Sequence, residues 1–472
     1  MPTEDLHRLT ALDLVRHYRA RDLSPVEVAE AVLARLEDVD GNLNAFCHRD
    51  DEAFRTAAAA SEERWAKDAP LGPLDGVPTS VKDVLRIRDW PTRMGSKSVD
   101  TRQPWTKDAP AVARLRESGA LFIGMTTTPE MGWKGVTDSP LHGQTRNPWN
   151  LRMTPGGSSG GAAAAVACGI GPLALGTDGG GSVRIPASFC GIVGLKPTFG
   201  RVAAWPPGLF GTLSHVGPMA RTVSDAALLL DVIGKPDSRD PWSLADDGID
   251  HLGETQRTVT GLRVAYSRDL GHIRVTPAVG EVVDQAVRGL GDLGMEVEDI
   301  EFDVPKAEET FRTLWYAAAA AAIRTQSRHR RRFLDYGLTK VAVEGEAIRA
   351  VDLVEAERAR MRYSADVGAL LERFDLLVTP TLPIAAFEVG REVPSGWPHE
   401  RWYTWTPFTW PFNLTGQPAL SVPCGFTADG LPVGLQIVAR RQADALVLRA
   451  GAAYQERFPT LSSWPTAGRA TG

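Results

Sequence analysis

From about residue 70 onward, short apolar runs alternate with helical stretches: residues 121–123 (LFI), an alanine-rich run over 162–167, residues 173–175 (LAL) and, much later, 376–378 (LLV). Apolar runs of that length read as buried strands, and strands alternating with helices require a sheet with helices laid on its faces. The fold class is therefore α/β. Over 1–65 the reading is helical: Ser24, Pro25 and Glu27 make an N-cap, a helix-start proline and a capping-box acid, and Val28, Val32, Leu36 and Val39 follow at helical spacing. Farther on come a strand LRVAY, a helix from about Pro277 and a strand MEVEDIEF. Near the C-terminus Asp429-Gly430 stands between two strand-like runs, a strong hairpin signal. One interwoven domain over 1–472 accounts for this order. It comprises N-terminal helices over 1–65, a core over about 70–235, a cap-like or inserted segment over about 236–375, and a return to the sheet over 376–472.

Charge and cysteine usage narrow the function classes. The 52 Lys and Arg against 58 Asp and Glu leave a net charge of −6 with no basic face, so neither nucleic acid nor an anionic membrane is an expected partner. The one basic run, RHRRR over 328–332, follows an alanine run over 317–322 and reads as a solvated helix end. Cys47, Cys168, Cys190 and Cys424 are scattered, with neither a CxxC pair nor zinc spacing, which fits a reduced cytoplasm. The charged N-terminus lacks the order of a signal peptide, and no stretch approaches the roughly 18 apolar residues of a spanning helix. A soluble, unprocessed, cytoplasmic protein is expected.

The chemistry concentrates around TPGGSSGGAAAAVACG, residues 154–169. A phosphate loop fails, because Ala162 and Ala163 stand where its Lys and hydroxyl residue belong. A dinucleotide fingerprint fails, because Ser158 occupies its second glycine position. A nucleophile elbow is formally met, with Ser159 in GxSxG, but the preceding RNPWNLRMTP is polar and bounded by prolines rather than a buried strand. His215, His272, His329 and His399 would be its candidate bases, and none has a distinctive context. A further reading joins this loop to two others. In GTDGGGSVRIPA, Ser182 follows three glycines directly after a strand-like run, and glycines there let backbone N–H groups converge on a reacting carbonyl. Lys82 sits among Val77, Val81, Val84 and Leu85. Desolvation at such a site lowers a lysine pKa from about 10.4 by up to several units, leaving it neutral enough to accept a proton.

Lys82, the GGSSGG loop and GTDGGGSVRIPA, in that order, resemble the amidase signature family, the Ser–cis-Ser–Lys amide hydrolases. The likeness runs from about residue 70 to 235 nearly without break, through GMTTTPEMGWKGVTDSPLHGQTRNPWN and FCGIVGLKPTFGRV, and resumes in TWPFNLTGQPALSVPCG. The resemblance implies an α/β/α sandwich whose central twisted mixed sheet is covered by helices on both faces. It implies Ser182 as the acyl-forming nucleophile, Ser158 as the bridging serine on a cis peptide, and Lys82 as the base. The amides of Gly179, Gly180, Gly181 and Ser182 would form the oxyanion hole, with no cofactor and no metal. Substrate contacts in this family lie near the PEMGW stretch, which points to Gly132 and Trp133. Trp410, in the aromatic segment ERWYTWTPFTWPFN, would add an apolar wall favouring aryl or alkyl amides. Esters and aryl carbamates form a similar tetrahedral oxyanion, so ester and urethane hydrolysis stay open. So does a different role, as the amidase subunit of a glutamine-dependent tRNA amidotransferase. Homodimers are common in the family, so the resemblance favours a homodimer over a monomer, and both stay open. Asp178 and Arg184 read as an ion pair that shapes the loop, Cys190 as a small buried residue, and His142 and His215 as structural.

Overall fold

The structure, a computed structural model, describes residues 3–302, 307–459 and 464–465, with side chains from Leu6 onward. Its strands are β1 (Phe46–His48), β2 (Pro78–Lys82), β3 (Leu121–Thr126), β4 (Asp138–Ser139), β5 (Gly143–Gln144), β6 (Leu173–Asp178), β7 (Val193–Lys196), β8 (His215–Ala220), β9 (Arg263–Tyr266), β10 (Glu296–Asp299), β11 (Leu376–Pro380), β12 (Ala419–Phe426) and β13 (Pro432–Ala439). Eleven of them form one sheet in the order β1-β3-β2-β6-β8-β7-β12-β13-β11-β9-β10, while β4 and β5 pair separately. The sheet is mixed: β2 runs parallel to both β3 and β6, whereas β8 is antiparallel to β6 and to β7.

Both faces of the central strands are buried, as the apolar runs require, whereas the edge strand β10 is largely exposed. Leu173 and Leu175 of β6, Val216 of β8 and Leu435 of β13 point into one core, shared with the helices Val223–Ile233, Pro277–Asp292 and Asp444–Arg457. Ala174 of β6 and Met219 of β8 point the other way, onto the helices Gly160–Ala167 and Arg184–Cys190. Every residue of Gly160–Ala167 is buried, which only a run of small side chains permits so close to a sheet.

Local signals behave as their chemistry predicts. The helix Pro25–Leu43 starts with the reciprocal capping box: the Glu27 amide donates to Ser24 Oγ (3.2 Å) and the Ser24 amide to Glu27 Oε2 (2.9 Å). Strands β12 and β13 form the C-terminal hairpin, closing at Phe426 opposite Pro432 with Gly430 at φ +75°. Within 236–375, β9 and β10 extend the sheet at one edge, whereas the helices Ala307–Arg324, Tyr336–Glu346 and Ala350–Arg373 pack on one another and over the aromatic segment. Of the basic run, Arg328, Arg331 and Arg332 are exposed. Arg330 instead docks on the loop 98–103, donating to the Ser98 carbonyl (2.9 Å) and Asp100 (2.7 Å). Among the described residues no helix is long and apolar enough to cross a membrane.

Candidate active site

Strands β2 and β6 are parallel neighbours, so their C-terminal ends deliver Lys82 and the 177–182 loop to the same place. Lys82 is fully buried; its Nζ lies 2.6 Å from Ser158 Oγ and 2.9 Å from Thr177 Oγ1. Burial lowers its pKa from the ordinary 10.5 to about 7, with the Asp178 charge pulling weakly the other way. Ser158 ends a loop that leads into Gly160–Ala167, and the Gly157–Ser158 peptide is cis. That loop is pressed against Val136: a Cβ on Gly157 would lie 2.6 Å from the Val136 backbone, so only glycine fits.

Ser182 follows β6 and lines the same cavity as Ser158. Among the described residues no hydrogen bond joins the two hydroxyls; the Ser159 amide donates to the Ser182 carbonyl (3.1 Å) and ties the loops together. The expectation for the glycine amides needs correction at one position. The Gly181 N–H donates to Asp178 Oδ1 (2.7 Å) and is not free for a ligand, while the amides of Gly179, Gly180 and Ser182 find no acceptor among the described residues. Gly181 has φ +123°, a conformation open to glycine and costly for other residues.

Asp178 and Arg184 form the expected ion pair. Both are fully buried, with Arg184 donating to Asp178 through Nε (3.0 Å) and Nη2 (2.9 Å). Arg184 also reaches the Thr409 carbonyl, Gln436 and Asn413, and Asn413 donates back to Asp178. Burial alone would raise the Asp178 pKa, but Arg184, Asn413 and Lys196 outweigh it and hold the carboxyl well below the usual range. His215 has both ring nitrogens engaged, Nδ1 with the Leu213 carbonyl (2.9 Å) and Nε2 with Lys196 (3.2 Å), and burial keeps it neutral. Ser159 is fully buried and bonded to the Thr177 backbone, and the loop before it holds no sheet strand, so the elbow reading lacks its geometry.

The cavity above Ser182 has a volume of about 490 Å³. Gly132 lines it. Trp133 and Trp410 do not: Trp133 is fully buried beside Gly337, and Trp410 gives its Nε1–H to the Tyr403 carbonyl (3.1 Å) and stacks on Phe311. The segment 402–410 packs behind the glycine loop, where a Cβ on Gly180 would meet Trp402 at 2.8 Å. The aromatic lining comes instead from Trp105, Trp205, Phe210 and Trp315, the last two stacked with centroids 3.4 Å apart. Sequence reasoning missed these and Thr177; the available signal was WPPGLF over 205–210, which interleaves proline and aromatics as the 402–412 stretch does.

Among the described residues the group of ligand-type atoms that comes together is Cys47, Asp83 and His142, all within 4.8 Å of one another. None lines the cavity. Asp83 already accepts the Arg93 (2.7 Å) and Gly95 (2.9 Å) amides, and Cys47 donates to the Met125 carbonyl. Cys190 is fully buried with its thiol on the Pro155 carbonyl, and burial pushes its pKa up.

Similarity to known proteins extends over nearly the whole chain. The Amidase family matches residues 27–448. An acylamidase of Rhodococcus erythropolis is 38% identical, covering 98% of each chain. A glutamyl-tRNA(Gln) amidotransferase subunit from Chloroflexus aurantiacus is 36% identical over 98% of each. Among solved structures, a bacterial aryl acylamidase belonging to the amidase signature enzymes superposes with a TM-score of 0.89 at 31% identity, covering 96% of each chain.

Proposed function

The chain belongs to the amidase signature family, and from that premise we propose that it hydrolyses carboxylic amides of aryl or alkyl type through a serine acyl-enzyme carried by Ser182, Ser158 and Lys82. Ser182 Oγ attacks the carbonyl carbon while its proton passes to Ser158 and from Ser158 to neutral Lys82. The carbonyl oxygen, now negative, faces the amides of Gly179, Gly180 and Ser182. The proton returns along the same path to the leaving nitrogen, the C–N bond breaks, and water, deprotonated through the relay, releases the acid. The observation that carries this reading is the 2.6 Å contact between Lys82 Nζ and Ser158 Oγ, with Lys82 fully buried and Ser158 at the cavity wall. The Ser182–Ser158 contact closes when substrate fills the cavity, in line with the looser catalytic hydrogen bonds of free enzymes. Hydrolysis in the presence of a chelator is expected to proceed unchanged, since each proton is carried by these side chains.

Because the relay needs Lys82 neutral and its pKa lies near 7, kcat/KM is expected to rise about tenfold per pH unit below about pH 7 and to level off above it. Protonation at low pH removes the base, which sets the sign. A pH profile on a neutral anilide checks this, and a rate that falls as pH rises through 7 contradicts Lys82 as the base.

The substrate class rests on the cavity, whose volume suits a small molecule and whose lining includes Trp105, Trp205, Phe210 and Trp315. We expect kcat/KM for an aryl-acetamide to exceed that for acetamide by at least about a hundredfold, roughly 2.7 kcal/mol of transition-state binding. Equal values would refute the apolar cavity. Esters and aryl carbamates belong in the same panel. The likeness to amidotransferase subunits supports a second reading, in which the chain works only with a tRNA-binding partner. Activity of the purified chain alone on a simple amide decides between them.

A further inference from the structure

Three formally charged side chains line the cavity: Arg86, Asp100 and Arg330. Two of them cancel. Asp100 accepts from Arg330 (2.7 Å) and from Arg102 (3.2 Å), and Arg330 spends a second N–H on the Ser98 carbonyl (2.9 Å). Arg86 stands apart. Half-buried, it makes no ion pair and no side-chain hydrogen bond among the described residues, and its guanidinium lies 5.5 Å from the centre of the Trp205 ring, itself a lining residue.

Of the other cations near the Trp205 ring, Lys107 adds to the positive charge. Lys107 and Arg239 also approach the Trp205 ring, at 5.8 and 5.0 Å. Arg239 is neutralised by Asp237 (2.7 Å), and the nearby Asp108 is taken by Arg116 (2.8 Å). Lys107 is exposed and, like Arg86, has no carboxylate partner among the described residues. A guanidinium held beside an indole ring offers an anion a planar, forked donor.

Position relates this charge to the reacting centre. Arg86 follows Lys82 by four residues, and the chain between them turns tightly, with the Val84 and Leu85 amides both donating to the Lys82 carbonyl (2.7 and 3.0 Å). Four extended residues would span at most about 14 Å, and a turn spans less. The Lys82 and Arg86 backbones therefore lie close together, and Arg86, Ser158 and Ser182 all line the one cavity.

We propose that Arg86 makes this enzyme prefer aromatic amides that carry a carboxylate at the end remote from the scissile carbonyl. The inference rests on the hydrolytic reading of the Ser182 cavity. Its test compares two pairs of substrates in the wild type, Arg86→Gln and Arg86→Lys. 4-Acetamidobenzoate against 4-nitroacetanilide places the carboxylate on the amine side; succinanilate against valeranilide places it on the acyl side. In at least one pair, Arg86→Gln is expected to lower kcat/KM for the acid at least about tenfold while the neutral partner stays within about twofold, with Arg86→Lys recovering part of the loss. If both pairs keep their wild-type ratios in Arg86→Gln, or if acid and neutral substrates fall together, the proposal is overturned. Failure of the wild type to cleave any of the four refutes the hydrolase reading instead, so the two failures are distinct.

Discussion

Replacing Ser182 by alanine is expected to abolish amide hydrolysis, with kcat on an anilide falling at least about 10⁴-fold while the protein stays folded. The size follows from the proposed relay acting as a unit: in that mechanism no acyl-enzyme forms without the Ser182 hydroxyl, and Lys82 and Ser158 have no proton to carry. Lys82→Ala and Ser158→Ala are expected to fall by comparable factors, and combining them with Ser182→Ala to add little further, since each single change already breaks the same chain. Ser159 offers the contrast. Its hydroxyl is bonded to the Thr177 backbone and is not among the cavity-lining groups. Retained activity in Ser182→Ala, with loss on replacing Ser159, would return the elbow esterase as the better reading. Steady-state kinetics with far-ultraviolet circular dichroism as the folding control is sufficient.

Arg184→Met is expected to be the most damaging change outside the relay. Arg184 and Asp178 are both fully out of solvent, so removing the guanidinium strands a buried carboxylate, at a cost of about 3–5 kcal/mol. The damage reaches function because Asp178 holds the Gly181 (2.7 Å) and Val183 (3.1 Å) amides on either side of Ser182. A lower denaturant midpoint together with lost hydrolysis is the expected result; an unchanged midpoint would show that the pair contributes no net stability. The pH dependence has a definite sign. With its folded pKa depressed below the ordinary 3.8, Asp178 contributes stability that is complete above that value and lost only as the pH falls through the depressed one. Arg184→Met should therefore narrow its deficit in acid.

Several features were legible because their chemistry is local. The capping box at Ser24 and Glu27 needs only residues three apart, and the Asp429-Gly430 turn needs only its two flanking runs. The glycine–serine loops announce themselves too, since crowded or left-handed backbone selects for glycine wherever the chain goes. Lys82 among valines foretells desolvation, and the structure buries it fully.

What the sequence by itself determined is thus the α/β class, the N-terminal helix start, the C-terminal hairpin and the three segments that meet around Lys82, Ser158 and Ser182. Only the tertiary structure decided which aromatic run faces the cavity. WPPGLF over 205–210 and the run over 402–410 both interleave proline with aromatics, but the helix Ala307–Arg324 brings Phe311 against Trp402 and Trp410, burying the second run behind the glycine loop. It likewise decided that Gly181 spends its amide on Asp178, that Thr177 joins Lys82 across two parallel strands, and that Arg330 settles on Asp100 from 230 residues away while Arg86 is left unpaired. The physical reason is common to all four. Caps, turns and glycine loops are set by interactions within a few residues, whereas the direction of a side chain and the pairing of a charge depend on which distant surface packs against it.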